Sequence, residues 1–382
     1  MKALIAGAGI GGLATAIALR EAGLIVEVLE RAQELRETGA GLMIWPNGSR
    51  SLRALGVAVR RLVVERISFR SWRGRELMEI PMDIISERYG FRVAFVSRAD
   101  LQAALMSTLG EGALRLGADV QSFEETQDHV EVRLQHGSAV TGGDLLVGAD
   151  GIRSVVRREL LRDGDPFYLG STIWRGVVDS AGIPLDRGEG INWVGPGSEF
   201  LAFHLPDDRI YWAAVTKEPR GEMSGPGGHK QDLLDRFGRW QDPVSALIAG
   251  NDEAAILRND MYDRPPVNHW SRGRVTLVGD AAHPMTPNQG QGACQALEDA
   301  VALGRGFAHA ANVADAFKFY ERQRLRRANR VVKASRQATR GVQIDAPILC
   351  AIRDTFARIL PRALMLRMLD ETLSAAPAGE LD

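Results

Sequence analysis

Cysteine is scarce in this chain. Only Cys294 and Cys350 occur among 382 residues, and neither belongs to a CxxC pair. That argues against a disulfide framework and favours a reducing, cytoplasmic compartment. An excess of one charge is also lacking. The formal net charge is -1, so no electrostatic argument favours nucleic acid or an anionic membrane as partner. No run of about 18 apolar residues occurs, so no transmembrane helix is expected. The opening Met-Lys-Ala-Leu-Ile-Ala-Gly turns glycine-rich early and reads as a buried strand, not a signal peptide. HExxH, CxxC and GxSxG patterns are missing and the seven histidines are scattered. Neither a metal site nor a hydrolase triad is expected. What remains is ordinary globular material, 45 % hydrophobic and 25 % charged. It suffices for a sizeable core in two to three domains or one large composite domain.

Residues 2–6 form a short apolar run that enters glycines at Gly7. Good helix formers follow over 13–22, and a second apolar run over 25–29 ends at Glu30. This is the strand, glycine turn, helix, strand order of a βαβ unit. The stretch 39–48 reads as a glycine-punctuated loop, with a helix near 49–55. Residues 67–80 read as a hairpin around Gly74, and 98–109 as a helix with Ser97 as N-cap. Residues 130–134 alternate as a strand, and 145–148 are a buried one. Strands dominate 168–215, and glycine and proline crowd 219–228 into a loop. Helical character returns near 230–238, a buried strand is expected at 275–278, and helices follow from 295 onward. The basic stretch 322–340 reads as a solvated helix face, not a nucleic-acid site.

Three motifs carry chemistry. In GAGIGG, Gly7 permits a tight turn, Gly9 lets the backbone approach a pyrophosphate, and Gly12 lets the helix pack close to the strand. The helix N-terminus offers free N–H groups and partial positive charge. Glu30 follows about 20 residues on, where a carboxylate accepts from ribose hydroxyls. Arg31 beside it either stacks on adenine or is solvated. This motif alone does not separate NAD from FAD. The second motif, 145–151, is a buried strand ending in Asp150-Gly151, with Ser154 and Arg157 after it. The third, 275–280, ends in Gly279-Asp280 and runs on into AAHPMTPNQGQGACQALEDA. Two apolar strands thus deliver aspartates to the carboxyl edge of a sheet, where ligands of such folds bind. An aspartate there can accept from ribityl hydroxyls. Gly290, Gln291, Gly292 and Ala293 open the next helix, and their N–H groups could face a flavin's pyrimidine edge.

These motifs, in this order and with VSRADLQ at 96–102, resemble the class A flavoprotein aromatic hydroxylases of the para-hydroxybenzoate hydroxylase type. PNQGQGACQALEDA, IWPNG (44–48) and IWRGVV (173–178) are most similar to the branch containing zeaxanthin epoxidases, bacterial urate hydroxylase and salicylate-type hydroxylases. The resemblance implies an α/β fold: a Rossmann-like FAD-binding domain (1–65, 97–165, 270–335), an inserted β-sheet substrate domain (66–96, 166–269) and a C-terminal helical segment (336–382). It implies NADH or NADPH as a transiently bound electron donor, and no second nucleotide fingerprint occurs. It also implies O2 as co-substrate, a flavin C4a-hydroperoxide, and hydroxylation or epoxidation of a small aromatic or heteroaromatic compound by a monomer or homodimer. Arg98 is then expected near the ribityl-phosphate region, with Met43, Val120 and Pro287 as further FAD contacts. In urate-specific members an arginine on the substrate sheet holds the substrate. That position is Glu199 here, which argues against urate. The same scaffold also suits a reductase acting on a polyprenyl or polyketide-like substrate, and a non-catalytic nucleotide-binding protein is a third reading.

Other residues are weighed individually. Tyr211 and His204 flank a hairpin turn at Asp207-Asp208, and either could hydrogen-bond a phenolic oxygen or simply pack. Trp45, Trp193, Leu201, Phe203, Tyr211 and Met285 are the candidate pocket lining. His283 in the Gly-Asp loop is either a general base or, as favoured here, a loop-ordering residue. Cys294 reads as a small buried helix residue, not a covalent flavin attachment.

Overall fold

The computed structural model describes residues 1–35, 40–135, 140–221 and 224–373. Gly39, part of the 219–228 loop and the end of the expected helical segment (374–382) lie outside the described residues.

Five short apolar strands form an all-parallel sheet in the order Val275–Leu277, Leu145–Gly148, Lys2–Ala6, Ile25–Glu30, Leu114–Leu116. Lys2–Ala6 and Leu145–Gly148, at the centre, are buried on both faces apart from Lys2, as parallel sheets require. Their register aligns the ends: Ala6 stands opposite Leu29 and Gly148, and Gly148 opposite Leu277. The residues that follow these strands therefore leave the sheet in one row. That row brings the glycine turn, Glu30, Asp150 and the Gly279-Asp280 loop to the same carboxyl edge, although some 270 positions separate the first from the last.

The helix Ile10–Glu21 packs on Gly292–His309, and the 30-residue helix Val313–Val342 packs on the latter. A seven-stranded sheet adjoins this body. Its order is Leu257–Asp263, Phe167–Asp179, Arg209–Lys217, Ser198–His204, Glu189–Gly195, Arg66–Ser71, Glu76–Ile80. All its neighbours are antiparallel except Glu189–Gly195 with Arg66–Ser71. Side chains alternate across it with period 2. Phe203, Tyr211 and Ala213 join the main core, with Leu201 packed against it. Trp193, Phe200, Ala202 and Trp212 join a second core under the helices Gly228–Phe237 and Val244–Ala249.

Most expected elements are present, and Ser97 caps its helix by accepting from the Asp100 amide. Two readings change. The 39–48 stretch is not all loop: Gly41–Ile44 is a strand paired with Ala94–Ser97, and the helix starts at Pro46. The basic stretch is not one solvated face. Arg322, Arg326, Arg330, Lys333 and Arg340 are exposed, but Arg324 and Arg327 are buried in ion pairs with Glu298. Helical periodicity splits the run between two faces.

Candidate active site

At the carboxyl edge the glycine turn is sterically fixed. Gly7 has φ +99°, and a Cβ there would lie 2.6 Å from the Ala149 carbonyl oxygen. A Cβ on Gly12 would lie 1.9 Å from the Gly7 oxygen. Gly9 is different: a Cβ there would meet nothing within 4 Å. The first two glycines are required by the protein's own packing, whereas the bare backbone at Gly9 fronts open space. That is the observation a pyrophosphate-binding turn should give. A Cβ on Gly11 would lie 3.4 Å from that of Ala296, in the helix behind the turn.

Glu30 accepts from the Ala8 amide at 2.7 Å and the Ala32 amide at 2.9 Å. These bonds hold the carboxylate beside the glycine turn. Arg31 is exposed. Val120 is buried at the start of the strand that follows the parallel sheet's edge. Asp150 Oδ2 accepts from the Val155 amide at 2.7 Å and the Val156 amide at 3.3 Å, and its Oδ1 is buried without a partner. Burial pushes this carboxyl above its usual range, against hydrogen bonding from Ser154. Ser154 caps the Val155–Leu161 helix by accepting from the Arg157 amide. The Arg157 side chain, wholly buried, donates to the carbonyls of Ala281 and Ala282 at 3.0 and 2.8 Å and to Asp163. It ties the Asp-Gly motif to the Gly-Asp loop.

Asp280 reaches solvent from that loop. The protein around it raises its carboxyl by desolvation, opposed by the charges of His283 and Arg98. Arg98, itself exposed, is thus placed near Asp280. Beneath the loop lies a buried polar network that the sequence reading missed. Asp299 Oδ2 accepts from the Gly279 amide at 2.9 Å and pairs with His283 Nε2 at 2.5 Å. Its Oδ1 accepts from Arg324 Nε at 2.8 Å. Burial works against this carboxylate, but His283 and Arg324 outweigh it and hold the group below its usual range. His283 is therefore bound inward to Asp299, the loop-ordering arrangement. The available signal was Asp299 and Arg324 on two consecutive helices, 25 residues apart, but nothing local shows that these side chains meet.

The turn Pro287–Gln289 and Gly290 gather the flanking residues. A Cβ on Gly290 would lie 3.1 Å from Met43 Cε and 3.3 Å from Trp45 Nε1. The Trp45 indole donates to the Gln289 carbonyl at 3.1 Å. A Cβ on Gly292 would lie 4.0 Å from Met285. Ala293 follows in the first turn of the helix, and Cys294 is buried against Gly48. Burial raises the Cys294 thiol to about 12, so it is a poor nucleophile.

On the seven-stranded sheet, Leu201, Phe203 and Tyr211 face the nucleotide-binding body. Phe203 stacks on Phe95 at 4.0 Å and tilts against Tyr211 at 5.2 Å. The Tyr211 hydroxyl has no hydrogen-bond partner among the described residues. Burial raises it to about 12, opposed by Arg175 and Arg98. Two expected site residues lie elsewhere. Trp193 is on the opposite face, fully buried in the second core, and donates to Gln241 at 2.8 Å. It does not wall the pocket. His204 also points to that opposite face, where Nε2 meets the Leu185 carbonyl at 2.8 Å. It is structural. Both corrections follow from strand parity, since each lies an odd number of positions from an inward-facing neighbour.

Comparison with known proteins agrees with this geometry. The FAD binding domain family model matches residues 1–165 and 260–335. The aurachin C monooxygenase/isomerase of Stigmatella aurantiaca is 39 % identical over 365 residues, 94 % of each chain. The FAD-dependent urate hydroxylase of Klebsiella pneumoniae is 35 % identical over 345 residues, 88 % of this chain and 89 % of that one. The structure of Klebsiella pneumoniae HpxO with FAD and uric acid superimposes with TM-score 0.91 at 31 % identity, covering 99 % of this chain and 98 % of that one. The chain belongs to the FAD binding domain family, as a flavoprotein of the aromatic-hydroxylase type. It is an oxidoreductase of the monooxygenase class with FAD as cofactor. Among the described residues, no helix is long and apolar enough to cross a membrane.

Proposed function

We propose that the protein oxygenates a small aromatic or heteroaromatic compound, using NADH or NADPH as electron donor and O2 as co-substrate. The observation that carries this reading is the meeting of two surfaces. An inward sheet face bearing Leu201, Phe203 and Tyr211 belongs to the same core as the segments carrying Met43, Trp45 and Ala293. An apolar wall with few polar groups is what a planar ring requires.

FAD, when bound, supplies the redox chemistry that activates O2. The protein's own residues bind, orient and exclude water. Gly9, Gly11 and Gly12 would cradle the pyrophosphate, and Glu30, beside the turn, would accept from the adenosine ribose. Arg31, Met43 and Val120 would flank the cofactor. Arg98, Asp150 and Asp280 would hold the ribityl-diphosphate region; the unpartnered Asp150 Oδ1 is free for such a bond. Pro287, Gly290, Gly292 and Ala293 would face the ring system, with amides at the helix start directed at developing negative charge. Tyr211, high in pKa and unpartnered, would hold a polar substituent of the substrate as a neutral hydroxyl. We read 1–65, 97–165 and 270–335 as the FAD-binding domain and 66–96 and 166–269 as the substrate domain.

The test is O2-dependent oxidation of NADH and NADPH by the FAD-loaded protein, with and without aromatic compounds, and mass analysis of products. A compound that accelerates oxidation and gains one oxygen atom supports the reading. Absence of stimulated O2 uptake across a broad panel of phenols and N-heteroaromatics refutes it.

A further inference from the structure

Glu199 projects from the same face of its strand as Leu201 and Phe203, two and four positions on. It is 4 % exposed. Its oxygens have two donors, both neutral amides: Asn192 on the adjacent strand at 3.4 Å and Asn288 at 2.5 Å. Asn288 belongs to the Pro287–Gln289 turn, whose Gln289 carbonyl takes the Trp45 indole. Its own Oδ1 accepts from Thr339 at 2.6 Å. Glu199 therefore joins the substrate sheet to the turn that gathers Met43 and Trp45. The nearby cation, Arg353, spends its donors elsewhere. It bonds the carbonyls of Gly195 and Gly341 and pairs with Asp354. Beside the carboxyl, Asn192 Oδ1 is buried without a partner.

A carboxylate offers about four lone-pair sites and leaving a buried acceptor unmet is costly. This corner of an otherwise apolar wall is rich in acceptors and short of donors. We propose that Glu199 and Asn192 form the specificity-determining acceptor pair of the substrate site, selecting an N-heteroaromatic ring that presents an N–H or amino edge and rejecting rings that carry a carboxylate. The inference rests on the monooxygenase reading above and names the substrate class within it. Burial pushes the Glu199 carboxyl up to about 7, against the Asn192 hydrogen bond, the Arg353 charge and the Asn288 hydrogen bond. A substrate N–H supplies the stabilisation that water would have given. Above pH about 7, where Glu199 is ionised, a substrate carboxylate would meet like charge, a repulsive element that sharpens selection.

The experiment is binding to the FAD-loaded protein at about pH 8, above the Glu199 pKa of about 7, read from the flavin absorbance, without NAD(P)H. The probes are 2-pyridone, N-methyl-2-pyridone and 3-hydroxybenzoate. The wild type should bind 2-pyridone about 10-fold or more tighter than its N-methyl analogue, the effect of one buried hydrogen bond. Glu199→Leu, which removes the acceptor, should erase most of that preference and bind 3-hydroxybenzoate more tightly than the wild type does, with FAD retention unchanged. Should Glu199→Leu lose FAD, Asn192→Ala, which removes the other acceptor, should reduce the preference for 2-pyridone over its N-methyl analogue. Equal wild-type affinity for both pyridones, tighter 3-hydroxybenzoate binding by the wild type than by the variant, or no response to 2-pyridone at millimolar concentration overturns the proposal. These readouts need no turnover. Failure of the monooxygenase reading shows separately, as missing O2 uptake with a probe that binds.

Discussion

Asp299 lies directly under Gly279 and accepts its backbone N–H at 2.9 Å. One buried carboxylate thus fixes the backbone residue immediately before Asp280 and also pairs with His283 and Arg324. Removing one partner of such a cluster strands the others without compensation. Asp299→Ala should lose about 3–5 kcal/mol of stability and most FAD retention, measured by urea unfolding and flavin release. A loss under about 1 kcal/mol would contradict the role of the cluster. The native carboxyl lies below its unfolded value, so its contribution is present above the unfolded pKa. It should vanish as pH falls through the folded pKa.

The glycine turn offers a paired comparison. Gly12→Ala places a methyl 1.9 Å from the Gly7 oxygen and should destabilise the apo-protein. Gly9→Ala meets nothing within 4 Å and should leave apo stability within about 1 kcal/mol. It should nevertheless weaken FAD binding about 10-fold or more, because the ligand needs that space. Equal FAD affinity for Gly9→Ala and the wild type, by fluorescence titration, would remove Gly9 from the site.

Asp280 reaches solvent, so its loss costs the apo-fold little. Asp280→Ala should melt within a few degrees of the wild type as apo-protein yet release FAD more readily. Unchanged flavin affinity would refute its assigned contact.

Tyr211→Phe removes one hydroxyl from the apolar wall. If that hydroxyl holds the substrate, kcat/KM should fall about 10- to 100-fold with FAD affinity unchanged. Steady-state kinetics with an accepted substrate decides this.

Glu199 makes a prediction about stability and pH. Its folded pKa, about 7, stands above the ordinary 4.5. A raised acid resists ionisation in the folded state, so its penalty grows as pH rises from about 4.5 and levels off above about 7. At pH 8 the penalty approaches about 3 kcal/mol, and at pH 5 it is about 1 kcal/mol or less. Glu199→Gln should therefore gain stability relative to the wild type between pH 5 and pH 8. A stability difference that does not change with pH across this window would show that the carboxyl is not held high. Thermal melts at both pH values make the comparison.

The sheet edge on which we place the cofactor was legible in the sequence because each of its motifs is contiguous. Gly7 to Gly12, Asp150-Gly151 and Gly279-Asp280 each carry strand, turn and ligand group within a few residues, and their identical placement at strand ends implied one shared edge. The substrate half was less legible. Tyr211 faces inward while Trp193 and His204 face outward, and a single-residue change of strand parity separates the two outcomes. Composition marks all three as strand residues and does not show which face of the sheet is which. Arg324 and Arg327 were hidden in a basic run for a similar reason: their partners, Glu298 and Asp299, meet them only through helix packing.

The parallel sheet's far edge, Val275–Leu277, comes late in the chain, and the helix that backs the glycine turn comes later still. A chain emerging from the ribosome has made its first βαβ unit long before these pieces exist. It must hold that unit, exposed apolar edge included, while the intervening sheet is synthesised. Flavin capture during biosynthesis should accordingly be a late event, and the yellow colour of a truncated or nascent chain would report how close it stands to completing its fold.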